Sequence, residues 1–163
     1  MSSPQTLRLI INIGEQRLRL SGGDEILMDV LVSTGSNGPG ERMGSECTPR
    51  GRHIVRAKIG DGAPPGSIFV GRRPTGERYH PRLRAQYPDR DWILTRILWL
   101  SGLEPGRNRL GEVDTMRRFI YIHGCPDDVV LGTPGSHGCI RMSNADVIDL
   151  YDRVPTGTPV LLE

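Results

Sequence analysis

Short runs in which apolar and polar residues alternate are the feature that most limits how this chain can fold. In 7–13 and in 17–20, leucine or isoleucine recurs at every second position, and Gly14-Glu15 separates the two runs as a tight turn. An alternation with a period of two places one face of a β-strand in the core. The pattern therefore predicts an N-terminal β-hairpin.

The rest of the chain predicts more strands and one helix. Further strands are predicted over 26–32, 53–59, 92–94, 97–100, 119–122 and 159–162, and a loop is predicted over 35–51. Ser143 offers a capping hydroxyl three residues before Asp146, and an apolar face follows up to Val154, which predicts a helix directly after 136–142. The fold class is mostly β, a sandwich or mixed sheet with one or two helices, in a single domain over 1–163.

Glycine and proline interrupt the segment 60–88, which contains Pro64-Pro65-Gly66 and Pro74-Thr75-Gly76. A long irregular segment in a compact domain is usually functional or mobile. We therefore predict an insertion, or a lid that faces the substrate, at about 60–112.

Composition limits the location and the partners. The formal charge is only +2, no apolar run is long enough to span a membrane, and no signal-peptide pattern begins the chain. Three cysteines are too few for a disulfide framework. We expect a cytoplasmic protein, with the periplasm or cell wall as the alternative. The arginine-rich stretch 72–118 lacks a base-stacking or groove-reading motif, so no nucleic-acid partner is predicted, and no membrane partner.

The chemistry is predicted at 136–141, Ser-His-Gly-Cys-Ile-Arg. A cysteine attacks as the thiolate, and its free pKa of about 8.5 leaves little thiolate at neutral pH without a base. Either His123 or His137 can take the proton and later protonate a departing amine. Gly138 lets a carbonyl approach Cys139, and the amides of 138–140 are candidate oxyanion donors.

Two other kinds of chemistry remain open from the residues alone. The tripeptide His-Gly-Cys occurs at 123–125 and again at 137–139, and two histidines with two cysteines can bind tetrahedral zinc. Cys125 and Cys139 can also form a redox pair. Against zinc, the usual Cys-x-x-Cys spacing is absent. A non-catalytic binding module is the third alternative.

His123-Gly124 followed by Ser136-His137-Gly138-Cys139 resembles the signature of the L,D-transpeptidase (YkuD) family, and 32–35, 48–51 and 144–160 extend the resemblance. The resemblance implies that Cys139 is the nucleophile and His123 the general base. It implies that the Gly124 carbonyl orients His123, and that Ser136, His137 and Gly138 shape the site. Arg141 either pairs with a substrate carboxylate or braces the loop.

The resemblance also implies a substrate. Family members take the acyl group at the L-centre of the third residue of a peptidoglycan tetrapeptide stem, often diaminopimelate, and release the terminal D-alanine. No cofactor or metal is implied. The predicted partners are tetrapeptide stems or soluble muropeptides, and the oligomeric state is left open. A cytoplasmic location favours an L,D-carboxypeptidase in muropeptide recycling, with 3→3 cross-linking as the alternative; a carbapenem should acylate Cys139.

Overall fold

The computed structural model describes residues 6–163; residues 1–5, on which the expectation about a leader partly rests, lie outside them. The elements in chain order are β1 (Leu7–Asn12), β2 (Arg17–Gly22), β3 (Glu25–Leu31), β4 (Gly51–Ile59), β5 (Ser67–Val70), β6 (Arg73–Arg78), α1 (Pro81–Gln86), β7 (Ile93–Gly102), a 3₁₀ turn (Gly111–Val113), β8 (Tyr121–Gly124), β9 (Ile140–Met142), α2 (Asn144–Arg153) and β10 (Pro159–Leu162). Neither described helix is both long and apolar enough to cross a lipid bilayer.

All ten described strands join one mixed sheet, which confirms the predicted fold class. The strand order is β3-β2-β1-β10-β4-β7-β5-β6, and β8 pairs with β7 and with β9. Most pairs are antiparallel, but β1 pairs with β10, and β8 with β9, in parallel. The parallel β8–β9 pair brings two segments of the sequence motif side by side.

The apolar alternation produces the core as predicted. In β1 and β2 every second side chain is buried, and these side chains join one cluster with residues from β8, β9 and α2. The helix α2 begins where its cap predicts, because the Ser143 hydroxyl accepts a hydrogen bond from the Asp146 amide. Its buried residues Val147, Leu150 and Tyr151 lie on one face, and the helix packs against β7 and β8.

The short strand β9, which sequence patterns did not predict, lies between Cys139 and α2. One predicted boundary was wrong. The strand predicted over 119–122 begins only at Tyr121. Phe119 has a φ of 57°, a left-handed conformation that a β-strand does not accommodate, and its side chain is 51% exposed.

The segment 60–112 contains both sheet and protruding elements. Strand β7 lies within it and pairs with β4, β5 and β8, so this portion is part of the central sheet. The β5–β6 hairpin, which sequence patterns did not predict, pairs only with β7 and forms one end of the sheet, and α1 has no buried residue. A lid role therefore concerns the hairpin and α1 and stays a prediction.

His53 is a buried histidine of β4 that joins the start of this strand to the segment before β8. Its Nδ1 lies 2.9 Å from the Gly51 carbonyl and its Nε2 lies 2.8 Å from the Thr115 hydroxyl, so a neutral ring donates to the first and accepts from the second. Burial lowers the pKa of His53 to about 4. The folded protein therefore binds a proton at this ring less readily than the unfolded chain does.

The buried neutral His53 makes folding stability depend on pH. The unfolded ring titrates near pH 6.5, so stability should fall as pH drops from about 6.5 toward 4, with a loss of about 3 kcal/mol from this ring. Urea denaturation at pH 7, 5.5 and 4 measures the loss. We expect H53Q to show a smaller loss than the wild type; equal losses in both proteins would contradict the assignment.

Candidate active site

The alternation of side chains along β8 and β9 builds the site. Because successive side chains of a strand point to opposite faces, Ile122, Ile140 and Met142 enter the core while their neighbours point the other way. The neighbours of these core residues are Tyr121, His123, Cys139 and Arg141, and all four line one cavity. Parallel pairing of His123 with Arg141 fixes the register. Residues that are distant in sequence therefore share one surface.

The cavity has a volume of about 390 Å³. Its lining comes from β8, β9, the cysteine loop, the residues before β7 and β8, and the β5–β6 turn. The lining residues are Gly71, Arg72, Asp91, Ile93, Arg118, Phe119, Tyr121, His123, Ser136, His137, Cys139 and Arg141. Five of the seven predicted site residues line it directly. Gly124 and Gly138 lie behind the wall, where they shape the backbone.

His123 is oriented as the resemblance implies. Its Nδ1 lies 2.7 Å from the Gly124 carbonyl oxygen, which assigns the proton to Nδ1 and leaves Nε2 as a proton acceptor. The ring is 1% exposed, and burial lowers its pKa. His123 is therefore neutral at physiological pH and able to take a proton.

The sulfur of Cys139 is held by the backbone before and at the start of β8. The Tyr121 amide donates a hydrogen bond to Sγ over 3.3 Å, and the thiol donates to the Phe119 carbonyl over 3.3 Å. Neither bond involves His123. Burial raises the pKa of the Cys139 thiol to about 12, against the smaller opposing effect of the Tyr121 amide. The resting pair is thus a neutral thiol and a neutral imidazole.

Two hydroxyls fix the loop that carries the cysteine. Ser136 Oγ donates to the Cys139 carbonyl over 2.5 Å and accepts from the Gly138 amide over 3.1 Å. Thr48 Oγ1 donates to the Gly138 carbonyl over 2.9 Å and accepts from the Gly35 amide over 2.8 Å. Ser136 is therefore a loop brace as well as a lining residue. Ser136 Oγ also occupies the Gly138 amide, which is one of the three predicted oxyanion donors.

Both predicted glycines are required by space. Gly138 has a φ of 119°, and a Cβ there would lie 3.0 Å from the Cys47 carbonyl oxygen. A Cβ at Gly124 would overlap the Asn144 side chain and the Leu94 carbonyl. These glycines let two backbones approach closely beside Cys139 and His123.

His137 and Arg141 separate the main cavity from a second one of about 310 Å³, and both residues line each cavity together with Asp91. Arg141 donates to the Gly135 carbonyl over 3.0 Å and lies 3.6 Å from an Asp91 carboxylate oxygen. These bonds brace the loop, which is one of the two roles expected for Arg141. His137 is exposed at this boundary, and no hydrogen bond from another residue of 6–163 orients its ring.

Sequence patterns missed several lining residues. Asp91, Arg118 and Phe119 lie just before β7 and β8, and Arg72 lies in the β5–β6 turn. None belongs to a recognisable motif, and only the fold brings them to Cys139. The one available signal was the arginine-rich composition of 72–118, which predicts a basic surface without indicating which arginines reach a cavity.

The zinc alternative requires side chains that the structure keeps apart. Within residues 6–163, no three His, Cys, Asp or Glu side chains lie close enough to hold a metal ion. Cys125 is buried, its thiol donates to the Met142 carbonyl over 3.3 Å, and burial raises its pKa to about 11. Cys125 and Cys139 are both free thiols. Cys125 is thus a buried core residue that bonds to the backbone of β9.

Comparison with known proteins gives a family and a fold. The family model of the L,D-transpeptidase catalytic domain (YkuD) matches residues 6–162. A protein of Escherichia coli (strain K12) named "Probable L,D-transpeptidase YbiS" is 42% identical over 43 residues, which are 26% of this chain and 14% of that protein. The matched stretch thus spans a small part of this curated relative.

Solved structures share the fold at low sequence identity. The L,D-transpeptidase from Mycobacterium smegmatis superposes with a TM-score of 0.58 at 20% identity, over 98% of this chain and 59% of that one. L,D-transpeptidase 3 from Mycobacterium tuberculosis was solved in complex with a faropenem-derived adduct. It superposes with a TM-score of 0.59 at 17% identity, over 98% of this chain and 60% of that one.

The neutral resting pair predicts the pH dependence of Cys139 reactivity. Since the thiol pKa is far above neutral, alkylation by iodoacetamide should rise about tenfold per pH unit from pH 6 to 9 without a plateau. Peptide mapping by mass spectrometry measures Cys139 separately from Cys47, which is the other partly exposed cysteine. A plateau below pH 7 would indicate a preformed thiolate–imidazolium pair instead.

The Thr48 hydroxyl should be essential to the cysteine loop. T48V leaves the buried Gly35 amide and Gly138 carbonyl without this partner, so we expect a loss of about 2–4 kcal/mol of unfolding free energy. T48S keeps the hydroxyl and should lose only about 1 kcal/mol for the missing methyl group. Urea denaturation measures both variants, and equal losses would show that the hydroxyl contributes nothing.

Proposed function

The chain belongs to the L,D-transpeptidase catalytic domain (YkuD) family, and from this premise we propose that it is a cysteine acyl-transfer enzyme acting on peptidoglycan stem peptides. The observation that carries the proposal is the shared cavity of Cys139 and His123, in which the base keeps Nε2 available. A thiol, an oriented imidazole and a cavity of peptide size are the parts that acyl transfer needs.

The first half-reaction forms a thioester. His123 Nε2 takes the Cys139 proton as Sγ attacks the carbonyl carbon of the third stem residue. The C–N bond to D-alanine then breaks, and the imidazolium gives its proton to the departing amine. The resulting acyl-enzyme is neutral at both groups, like the resting state.

Local charges help the buried thiol ionise when the substrate arrives. The Tyr121 amide already donates to the sulfur, and the Arg141 and Arg118 guanidinium groups lower the Cys139 pKa, while Asp91 raises it. An ion pair forms only as proton transfer begins. Because Ser136 engages the Gly138 amide, an oxyanion hole built from this loop relies on the amides that follow Gly138.

Two reactions can resolve the thioester. Attack by water gives a tripeptide stem, which is an L,D-carboxypeptidase activity. Attack by the amine of a second stem gives a 3→3 cross-link. Cross-linking is the second candidate function. It is favoured by the second cavity, which shares Asp91, His137 and Arg141 with the first and could receive an acceptor chain. In both cases His123 takes the proton of the attacking group, the C–S bond of the thioester breaks, and the imidazolium returns the proton to the Cys139 sulfur.

The proposal is tested by mass spectrometry of products and protein. Incubation with a tetrapeptide muropeptide should release D-alanine, and a carbapenem should add its mass to Cys139. Accumulation of tripeptide indicates hydrolysis, whereas accumulation of cross-linked dimers indicates transpeptidation. C139A should lower turnover at least about 10³-fold, because the nucleophile is lost.

C47A is the matched control, since Cys47 is also a free, partly exposed cysteine but lies outside the lining of the cavity. We expect it to retain turnover. A folded wild type that neither cleaves any stem nor takes up a carbapenem would instead support a non-catalytic wall-fragment binder.

A further inference from the structure

Three arginines line the cavity of Cys139, and they differ in how fully the protein uses their donors. Arg118 donates to the Gly40 carbonyl, the Ser45 hydroxyl and the Cys47 carbonyl. Arg141 is bonded to the Gly135 carbonyl and paired with Asp91. Arg72 makes a single hydrogen bond within the described chain, from Nη1 to the Tyr121 hydroxyl over 2.9 Å.

The guanidinium of Arg72 is fixed although most of its donors are unused. It stacks over Trp99 and Phe119, with 4.8 Å and 4.9 Å to the ring centroids. No carboxylate of residues 6–163 forms an ion pair with it. Stacking holds the planar fork without consuming its N–H groups, the state in which arginine best binds a carboxylate in two-point contact.

The turn that carries Arg72 adopts an unusual backbone. Val70 pairs with Arg73, so Gly71-Arg72 is a two-residue hairpin turn, with φ of 56° and 66°. Such turns favour glycine or asparagine at both positions, and a long side chain at positive φ is uncommon. The strained position places this guanidinium at the cavity wall, and a strained residue at a ligand site is a reason to test its function.

We propose that Arg72 is a substrate-specificity residue that binds a carboxylate of the stem peptide beside the scissile bond. This inference rests on the proposed function. Two carboxylates have the required chemistry: the side-chain carboxylate of a diaminopimelate third residue and the terminal carboxylate of the leaving D-alanine. In either case a neutral or cationic group at that point would leave the Arg72 charge unpaired, so the enzyme would discriminate against it.

The test compares steady-state kinetics of wild type, R72Q, R72K and R73Q on a diaminopimelate tetrapeptide stem. Loss of a charged hydrogen-bonded pair should raise KM about 10- to 100-fold in R72Q and change kcat less than about threefold. The KM of R72K should lie between those of wild type and R72Q, because lysine keeps the charge but lacks the planar fork of donors. R73Q removes the same charge from the exposed neighbouring residue, which lines neither cavity, and should match the wild type.

Two modified substrates identify the carboxylate. If Arg72 binds the third residue, amidation of its side-chain carboxylate should raise the wild-type KM and abolish the difference between wild type and R72Q. If Arg72 binds the leaving D-alanine, a stem ending in D-alaninamide should raise the wild-type KM and abolish that difference instead. Iodoacetamide labelling of Cys139 and the thermal midpoint of R72Q report whether the site remains folded.

Equal losses in R72Q on all three stems, or a lower kcat with unchanged KM, would overturn the inference in favour of a structural role for the stacked arginine. Activity of R72Q equal to wild type would overturn it as well. All three results leave the proposed function standing. Absence of turnover on every stem by the wild type would instead overturn the proposed function, and this inference with it.

Discussion

Parallel pairing of β8 with β9 is the contact on which the site depends. It joins segments that are 18 residues apart, and the register Ile122–Ile140 and His123–Arg141 decides which side chains share a face. A shift by one residue would turn His123 into the core and Ile122 toward the cavity. The core residues Ile122, Ile140 and Met142 oppose such a shift, since each is fully buried. Burial of apolar side chains thus sets the catalytic geometry.

A second level of support acts on the loop rather than on the strands. Thr48 and Ser136 bind the backbone on either side of Cys139, and Thr48 also accepts from the Gly35 amide within its own loop, so the loop between β3 and β4 meets the loop that carries Cys139. Arg118 adds bonds to the carbonyls of Gly40 and Cys47. These bonds are made by buried or half-buried groups, which makes their loss costly. The long loop between β3 and β4 therefore supports the cysteine loop and Arg118 from behind the residues that line the cavity.

Sequence patterns correctly predicted the elements that neighbouring residues determine by themselves. The alternation in β1 and β2 and the Ser143 cap specify their elements directly, and glycines at 124 and 138 indicate close approach of backbones. The β5–β6 hairpin was missed because the run after Gly71 contains proline and arginines without an apolar alternation. Asp91, Arg72 and Arg118 were missed for another reason. Their place beside Cys139 depends on non-local pairing of β7 with β5 and β8, which no local pattern contains.

The charges around Cys139 show how burial and reactivity are balanced. Desolvation keeps the Cys139 thiol protonated and the His123 ring neutral, so the resting cavity holds no thiolate–imidazolium ion pair. Cations at the cavity wall lower the thiol pKa, while Asp91 opposes them. A ligand that excludes water strengthens the attraction to the cations, the repulsion by Asp91 and the cost of desolvation together, because the local dielectric falls. Ionisation of the sulfur therefore needs a proton acceptor in the cavity, and the neutral His123 ring, which lines the same cavity and keeps Nε2 unprotonated, can take that proton.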